Sequence, residues 1–322
     1  MEIIRGLDRL KRPLVNPVVT LGNFDGVHLG HQKIFERVKE EASRFHGESV
    51  VITFEPHPLK ILSPGNCPPL LTPFRKKMIF IEETGIETVL CIEFSSTFSE
   101  ISPDDFIKNI LVDNLKVRKI IVGYNYRFGR HHGGDVEMLK NVSQRFDVEV
   151  EVVKALEIGH MVVSSSKIRE LIKEGEVENA ARLLGRDYLI VGKVTEGAKR
   201  GQTLGFPTAN LEISDELYPK KGVYAVDILW NHLFFNGLAS VGFNPTFQPS
   251  GDSQKGLFSL EVYIFDFSRE IYGEELQINF KKRIRDEVRF DSPSKLIEQI
   301  KKDVQWAREK VFVSRPSHQR KP

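Results

Sequence analysis

Along the first half of the chain, short apolar runs alternate with longer stretches in which apolar residues recur every three or four positions. The runs Val18–Gly22, Ser49–Phe54, Thr88–Ile92, Lys119–Gly123 and Val148–Val152 predict buried strands. From about Gly30 to Phe45, a stripe of Ile34, Phe35, Val38, Ala42 and Phe45 predicts an amphipathic helix. Another helix should open at Ser102-Pro103-Asp104-Asp105, with a hydroxyl cap, proline at the first position and acids in the first turn. Strands interleaved with helices build a parallel sheet covered on both faces.

Near residue 185 the pattern changes. Tyr188–Gly192, Gly222–Trp230, Leu233–Gly242, Phe258–Phe267 and Leu276–Ile284 read as strands separated by turns, with no long helical pattern between them. Such strands predict a small antiparallel barrel. A final helix starts at Ser292-Pro293-Ser294 and carries Leu296, Ile300, Val304, Ala307 and Val311 on one side. Residues 176–184 read as a helix that stops at Gly185, which sets the expected domains at 1–184 and 185–314, followed by a basic, disordered tail at 315–322.

Composition narrows the classes without naming one. The 322 residues carry a formal charge of +2, so no global field gathers nucleic acid, and no apolar run is long enough to cross a membrane. Cys67 and Cys91 have no CxxC spacing, and Met1–Gly6 has no signal-peptide pattern. A reducing, cytoplasmic location is expected. No feature of the sequence specifies an oligomer.

The chemistry concentrates where strands end. After the first run comes Gly22-Asn23-Phe24-Asp25-Gly26-Val27-His28-Leu29-Gly30-His31, a glycine-rich turn leading into the first helix. Its open amides and the helix start favour an anion, and two histidines three apart can donate to a polyphosphate. Metal ligation and a plain pair of surface histidines are the alternatives, and no third ligand stands at a plausible spacing. Three further segments sit at strand ends or helix starts: Phe54-Glu55-Pro56-His57-Pro58, Gly123-Tyr124-Asn125-Tyr126-Arg127-Phe128-Gly129, and Ser164-Ser165-Ser166-Lys167-Ile168-Arg169.

In the second half, residues 197–210 hold Gly197, Lys199, Gly201 and Gly205 ahead of Pro207-Thr208-Ala209-Asn210. This is no P-loop, but glycines beside cations can wrap phosphates, as they can also form an ordinary hairpin. Glu261 alternates onto one face with Tyr263, Phe265 and Phe267, which suits either an exposed edge or a catalytic carboxylate.

With its HxGH tetrad His28–His31, the Asn125 and Ser164–Arg169 segments, and the Pro207–Asn210 signature, the chain resembles the bacterial bifunctional riboflavin kinase/FAD synthetase family over nearly its whole length. The resemblance implies a Rossmann-like α/β nucleotidyltransferase domain followed by a β-barrel riboflavin kinase domain with a C-terminal helix. It implies that ATP phosphorylates riboflavin to FMN in the barrel and adenylylates FMN to FAD in the α/β domain. By the same resemblance Gly22, Asn23, Asp25, His28, His31, Asn125, Ser164, Ser165 and Arg169 hold ATP, with His28, His31 and Arg169 catalytic. Phe54, Pro56, His57 and Pro58 would lie near the flavin. Gly197, Lys199, Gly201, Gly205, Thr208 and Asn210 would hold the kinase ATP, Thr208 and Asn210 would bind Mg²⁺, and Glu261 would be the catalytic base. Ser166, Ser240 and Asn244 depart from the family's usual threonine, asparagine and arginine.

Overall fold

A computed structural model describes residues 1–196, 204–213, 216–243 and 258–313. Gly197, Lys199, Gly201, Asn244 and the tail 315–322 lie outside the described residues. The chain divides into two compact units, Met1–Ser165 and Ser166–Pro322.

Strands β1 (Glu2–Arg5), β2 (Val18–Leu21), β3 (Ser49–Glu55), β4 (Thr88–Glu93), β5 (Lys119–Gly123) and β6 (Glu149–Val153) make one sheet in the order β1-β4-β3-β2-β5-β6. Every pairing in it is parallel. The central strands read as continuous apolar runs because both faces are covered. Val19, Leu21, Val50, Ile52, Ile120 and Val122 pack with Ile107, Leu111, Leu139 and Val142 from the π-helical segment Phe106–Asn114 and the helix Val136–Gln144. The alternate positions face α1 (Leu29–Arg44) and α3 (Phe74–Glu82), and Lys39 Nζ of α1 donates to the Thr84 carbonyl in the turn after α3 at 2.5 Å. The Phe35 ring, wholly buried in α1, alone contributes about 2 kcal/mol of transfer free energy.

The expected first helix and the Ser102 cap are observed, the latter with Ser102 Oγ accepting from the Asp105 amide. Strand β1 has no counterpart in the sequence reading. Four residues on a sheet edge with one buried side chain, Ile4, are too short to show a period.

In the second unit, the helices Ser165–Glu174 and Val177–Leu184 precede the barrel, and Gly185 ends the second of them in the left-handed region at φ 77°. The hairpin β7 (Glu157–Ile158) and β8 (Met161–Val162) closes the first unit. Among the described residues, β9 (Tyr188–Thr195), β10 (Thr208–Ile213), β11 (Gly222–Trp230), β12 (Leu233–Phe243), β13 (Phe258–Ile264) and β14 (Glu275–Arg285) close into a barrel in the order β10-β13-β12-β11-β14-β9. The helix Pro293–Lys310 lies on its outer surface, where Ala307 and the following Phe312 cover Val223, Ala225, Leu238 and Phe265. Arg285 of β14 grips buried Asp303 of this helix through Nε at 2.9 Å and Nη2 at 2.8 Å.

One ionic cluster ties α1 to the sheet. Lys119 Nζ lies 2.7 Å from Glu41 and 2.8 Å from Glu151, and Arg37 bonds both carboxylates. The Lys119 hydrogen bond holds the Glu41 carboxyl below its ordinary range. Burial pushes Glu151 up, but the bonds from Arg37 and Lys119 outweigh it. Lys119→Met strips buried Glu41 of one partner and is expected to cost about 2–3 kcal/mol, read from the denaturation midpoint. Because the folded carboxylates titrate low, this stability is complete above their ordinary value of 4.5 and is lost as the pH falls below it. The variant should accordingly show a flatter acid limb.

Candidate active sites

The strand order reverses between β2 and β5. From β2 the chain steps to β3 and β4 on one side, then returns to β5 on the other side of β2. An open parallel sheet binds ligands in the crevice at that point, beyond the carboxyl ends of its strands. The Gly22–His31 turn leaves β2 there, and the exposed Asn125 follows β5 on the adjacent strand.

Within the turn, His28 caps α1: its Nδ1 accepts from the His31 amide at 3.3 Å. The neutral ring therefore carries its proton on Nε2, the nitrogen able to donate to an oxyanion. The His28 and His31 rings stack with centroids 3.6 Å apart, and His31 meets the edge of Phe24 at 5.2 Å. Phe24 and Val27 both occupy the left-handed region, at φ 50° and 39°. A Cβ at Gly22 would sit 3.1 Å from the Phe24 ring, so any other residue there would push that ring aside.

Asp25, 4% exposed, points inward. Its carboxylate accepts from the Leu71 amide at 3.1 Å, the Thr72 amide at 2.9 Å and the Thr72 hydroxyl at 3.1 Å. The Gly26 amide donates back to Thr72 Oγ1 at 2.8 Å. The Asp25 carbonyl accepts from Ser165 Oγ at 2.8 Å, and Val163 lies against the first turn of α1, so Ser164 and Ser165 reach the same turn. Arg169, half-buried on the helix Ser165–Glu174, belongs to the second unit.

At the end of β3, His57 caps α2 (Pro58–Leu62), its Nδ1 accepting from the Leu59 amide at 3.2 Å. Its Nε2 lies 3.4 Å from the Asn23 side-chain amide nitrogen. Phe54 begins a line of rings: Phe54–Phe98 at 5.8 Å, Phe98–Phe106 at 6.2 Å, Phe106–Phe128 at 5.9 Å and Phe128–Tyr126 at 5.5 Å. Phe94 meets both Phe54 and Phe98. Pro56 and Pro58 flank His57 beside this line, the Glu55–Pro56 bond being cis.

Sequence reasoning missed Leu71, Thr72, Phe94, Phe98 and Lys77. Lys77, 6% exposed on α3, donates from Nζ to the Asn23 carbonyl and to Thr53 Oγ1, both at 3.2 Å. In the sequence it shows only as the last of three consecutive cations, Arg75-Lys76-Lys77, and nothing there marks it as buried.

On the barrel, Thr208-Ala209-Asn210 open a strand that is absent from the strands expected from the sequence. Asn210 lies opposite Glu261, and Glu261 opposite Ser240, so three strands bring these side chains into one row. Leu260, Val262 and Ile264 fill the barrel interior, so Glu261 projects outward, with Thr208 Oγ1 3.5 Å from its Oε2. Tyr263 and Phe265 share that outer face, but Phe265 is covered by the C-terminal helix. Phe267 lies past the strand, packed on Trp230 and Phe235. Gly205 is exposed and precedes Phe206, whose ring meets Tyr263 at 5.3 Å. Among the described residues, no three His, Cys, Asp or Glu side chains gather as a metal ion requires.

Family models for FAD synthetase and riboflavin kinase match residues 11–167 and 184–311. A bifunctional riboflavin kinase/FMN adenylyltransferase from Listeria monocytogenes is 40% identical over 297 residues, covering 91% of this chain and 92% of the relative. The protein of the same name from Escherichia coli K12 is 34% identical over 319 residues, covering 98% and 100%. The chain belongs to the bifunctional riboflavin kinase/FMN adenylyltransferase family. A solved structure described as a macrolide-efflux protein from Streptococcus pneumoniae superposes with a TM-score of 0.86 at 32% identity, covering 96% of this chain and 99% of that one. Among the described residues here, no helix is long and apolar enough to cross a membrane. The FAD synthetase match falls on the sheet-edge cluster, and the riboflavin kinase match falls on the Thr208–Glu261 row.

The inward grip of Asp25 yields a direct test. Asp25→Ala leaves the Leu71 and Thr72 amides buried without their acceptor, at an expected cost of about 3 kcal/mol. Amide hydrogen exchange at Leu71 and Thr72 should accelerate by about 100-fold.

Proposed function

We propose that the first unit transfers the adenylyl group of ATP to FMN, giving FAD and pyrophosphate, and that the second transfers the γ-phosphoryl group of ATP to riboflavin, giving FMN and ADP. The observation that carries this reading is end-to-end similarity to bifunctional relatives, with a residue cluster of the right chemistry in each matched region.

In adenylyl transfer the nucleophile is a phosphate oxygen of FMN, already anionic at neutral pH, so no strong base is required. The oxygen attacks the α-phosphorus, and the bond to pyrophosphate breaks. The protein's task is to hold the nucleotide and stabilise the growing charge on the leaving group. In this reading His28 Nε2, the His31 ring and the amides at the start of α1 face the phosphates. Gly22, Asn23, Asn125, Ser164 and Ser165 complete the nucleotide site in this unit. Asp25 serves it through the turn that it anchors. The flavin beds against Phe54, Pro56, His57 and Pro58, with the ring line from Phe94 to Tyr126 extending that surface.

The kinase reaction differs in one respect. Its nucleophile is the neutral ribityl hydroxyl, which must lose a proton as its oxygen attacks the γ-phosphorus and the bond to ADP breaks. Glu261, outward-facing and exposed, accepts that proton. Thr208 and Asn210 offer a hydroxyl and an amide carbonyl on the same face, oxygen donors of the kind Mg²⁺ takes. They would hold the ion, which neutralises phosphate charge when bound. Gly197, Lys199, Gly201 and Gly205 are assigned to the ATP phosphates. The setting for both reactions is cytoplasmic.

Incubation with riboflavin, ATP and Mg²⁺, followed by chromatography of the flavins, should show FMN and then FAD. Glu261→Ala is expected to reduce FMN formation by at least about 100-fold while supplied FMN is still converted to FAD. His28→Ala should produce the opposite split, with a loss of about 100-fold in FAD formation. Loss of both activities from either substitution in a folded protein would refute the two-site assignment. Tight flavin binding without turnover would make the chain a sensor instead.

A further inference from the structure

We propose that Lys77 is a positioning residue for adenylyl transfer, its buried ammonium clamping the Asn23 carbonyl and thereby fixing the ring of Phe24 and the imidazole of His31. The proposal rests on the adenylyltransferase reading of the first unit.

A lysine ammonium buried to this degree is costly unless its donors are used. Two are, on the Asn23 carbonyl and on Thr53 Oγ1. Thr53 Oγ1 also lies 3.4 Å from the same carbonyl, so a single main-chain oxygen is held from β3 and from α3 together. That oxygen belongs to the peptide immediately before Phe24. A phenylalanine in the left-handed region carries strain of about 1–2 kcal/mol and persists only where its surroundings over-determine it. The clamp supplies that determination. Phe24 then packs edge-on against both His31, at 5.2 Å, and Phe35, at 4.9 Å, while the other side of His31 stacks on His28. A continuous line of contacts thus runs from Lys77 to the two imidazoles.

A methionine could fill the same space without the desolvation cost, so packing alone gives no reason for a charge here. The groups facing the ammonium are Asp25 from the turn, Glu55 from β3 and Cys91 from β4, and Arg5 of β1 lies over the Phe74 ring of α3. Burial lowers the Lys77 pKa, and the three neighbours oppose that shift. Those neighbours offset the burial only in part, and the ammonium sits against the main chain of the Gly22–His31 turn.

The test compares the full-length wild type with Lys77→Met, Lys77→Arg and Thr53→Val, assaying FMN adenylylation and riboflavin phosphorylation in the same preparations. Lys77→Met is expected to lower the adenylylation kcat by about 10- to 100-fold, the scale of a small misplacement of catalytic groups. The KM for FMN should change by less than about threefold, and riboflavin phosphorylation should stay within about twofold of wild type, reporting a folded chain. Lys77→Arg should recover part of kcat. Thr53→Val should lose about 3- to 10-fold, and it carries the test alone if Lys77→Met does not fold. Wild-type adenylylation kcat in folded Lys77→Met, or in Thr53→Val, overturns the proposal, as does a loss confined to melting temperature. A wild type that makes no FAD from FMN overturns the adenylyltransferase reading itself, and the positioning role with it.

Discussion

A glycine-rich turn has many conformations, and only one of them aligns two imidazoles with the start of a helix. What selects it is charge placed beneath the turn. Asp25 accepts three hydrogen bonds from Leu71 and Thr72, and Lys77 donates to the carbonyl two residues earlier. One is an acid and the other a base, and each is buried. Neither could be left unsatisfied without a cost of several kcal/mol, so the turn is held by groups that have nowhere else to go. The strained φ values at Phe24 and Val27, the stack of His28 on His31 and the contact with Ser165 all follow from that anchorage.

The barrel reaches comparable order by another route. Register rather than buried charge brings the side chains of its candidate site together. In antiparallel pairs, directly opposed residues share a face, so fixing β10 and β12 against β13 places Asn210, Glu261 and Ser240 in one row. The interior set Leu260, Val262 and Ile264 pins that register, because a slip of one residue would drive Glu261 into the apolar centre. The same alternation explains why Phe265 needs the C-terminal helix: it lies on the outer face and would otherwise be exposed to water.

Much of this was readable from the sequence, and the unreadable parts share a cause. Periodicity is a local signal, so it yielded the strands from Val18 to Val152, the helix over α1 and the stop at Gly185. It could not see β1, a four-residue edge. It also gave no strand at Thr208–Asn210, because Pro207 and Gly205 punctuate the approach and the strand is completed by pairing with β9 and β13. The histidines and Glu261 stood out because their residue type is unusual in its setting. Lys77, Leu71 and Thr72 did not, since a lysine on a short helix reads as surface and two backbone amides carry no side-chain signature. Phe94 and Phe98 became part of a ring line only once β4 was set beside β3.

The two units also show how the state of a nucleophile shapes a site. A phosphate arrives already charged, so the residues under the sheet edge need only hold and neutralise. The turn accordingly offers imidazoles, amides and hydroxyls, with its one carboxylate, Asp25, turned inward and occupied by Leu71 and Thr72. A carboxylate facing a bound polyphosphate would repel it. A sugar hydroxyl arrives with its proton, and the barrel presents the opposite arrangement: Glu261 faces solvent beside Thr208, and in the proposed reaction it is the group that accepts that proton. The same side-chain chemistry is buried in one unit and exposed in the other. The direction each carboxylate faces therefore distinguishes the two reactions more sharply than the number of acids, bases or glycines in either half of the chain.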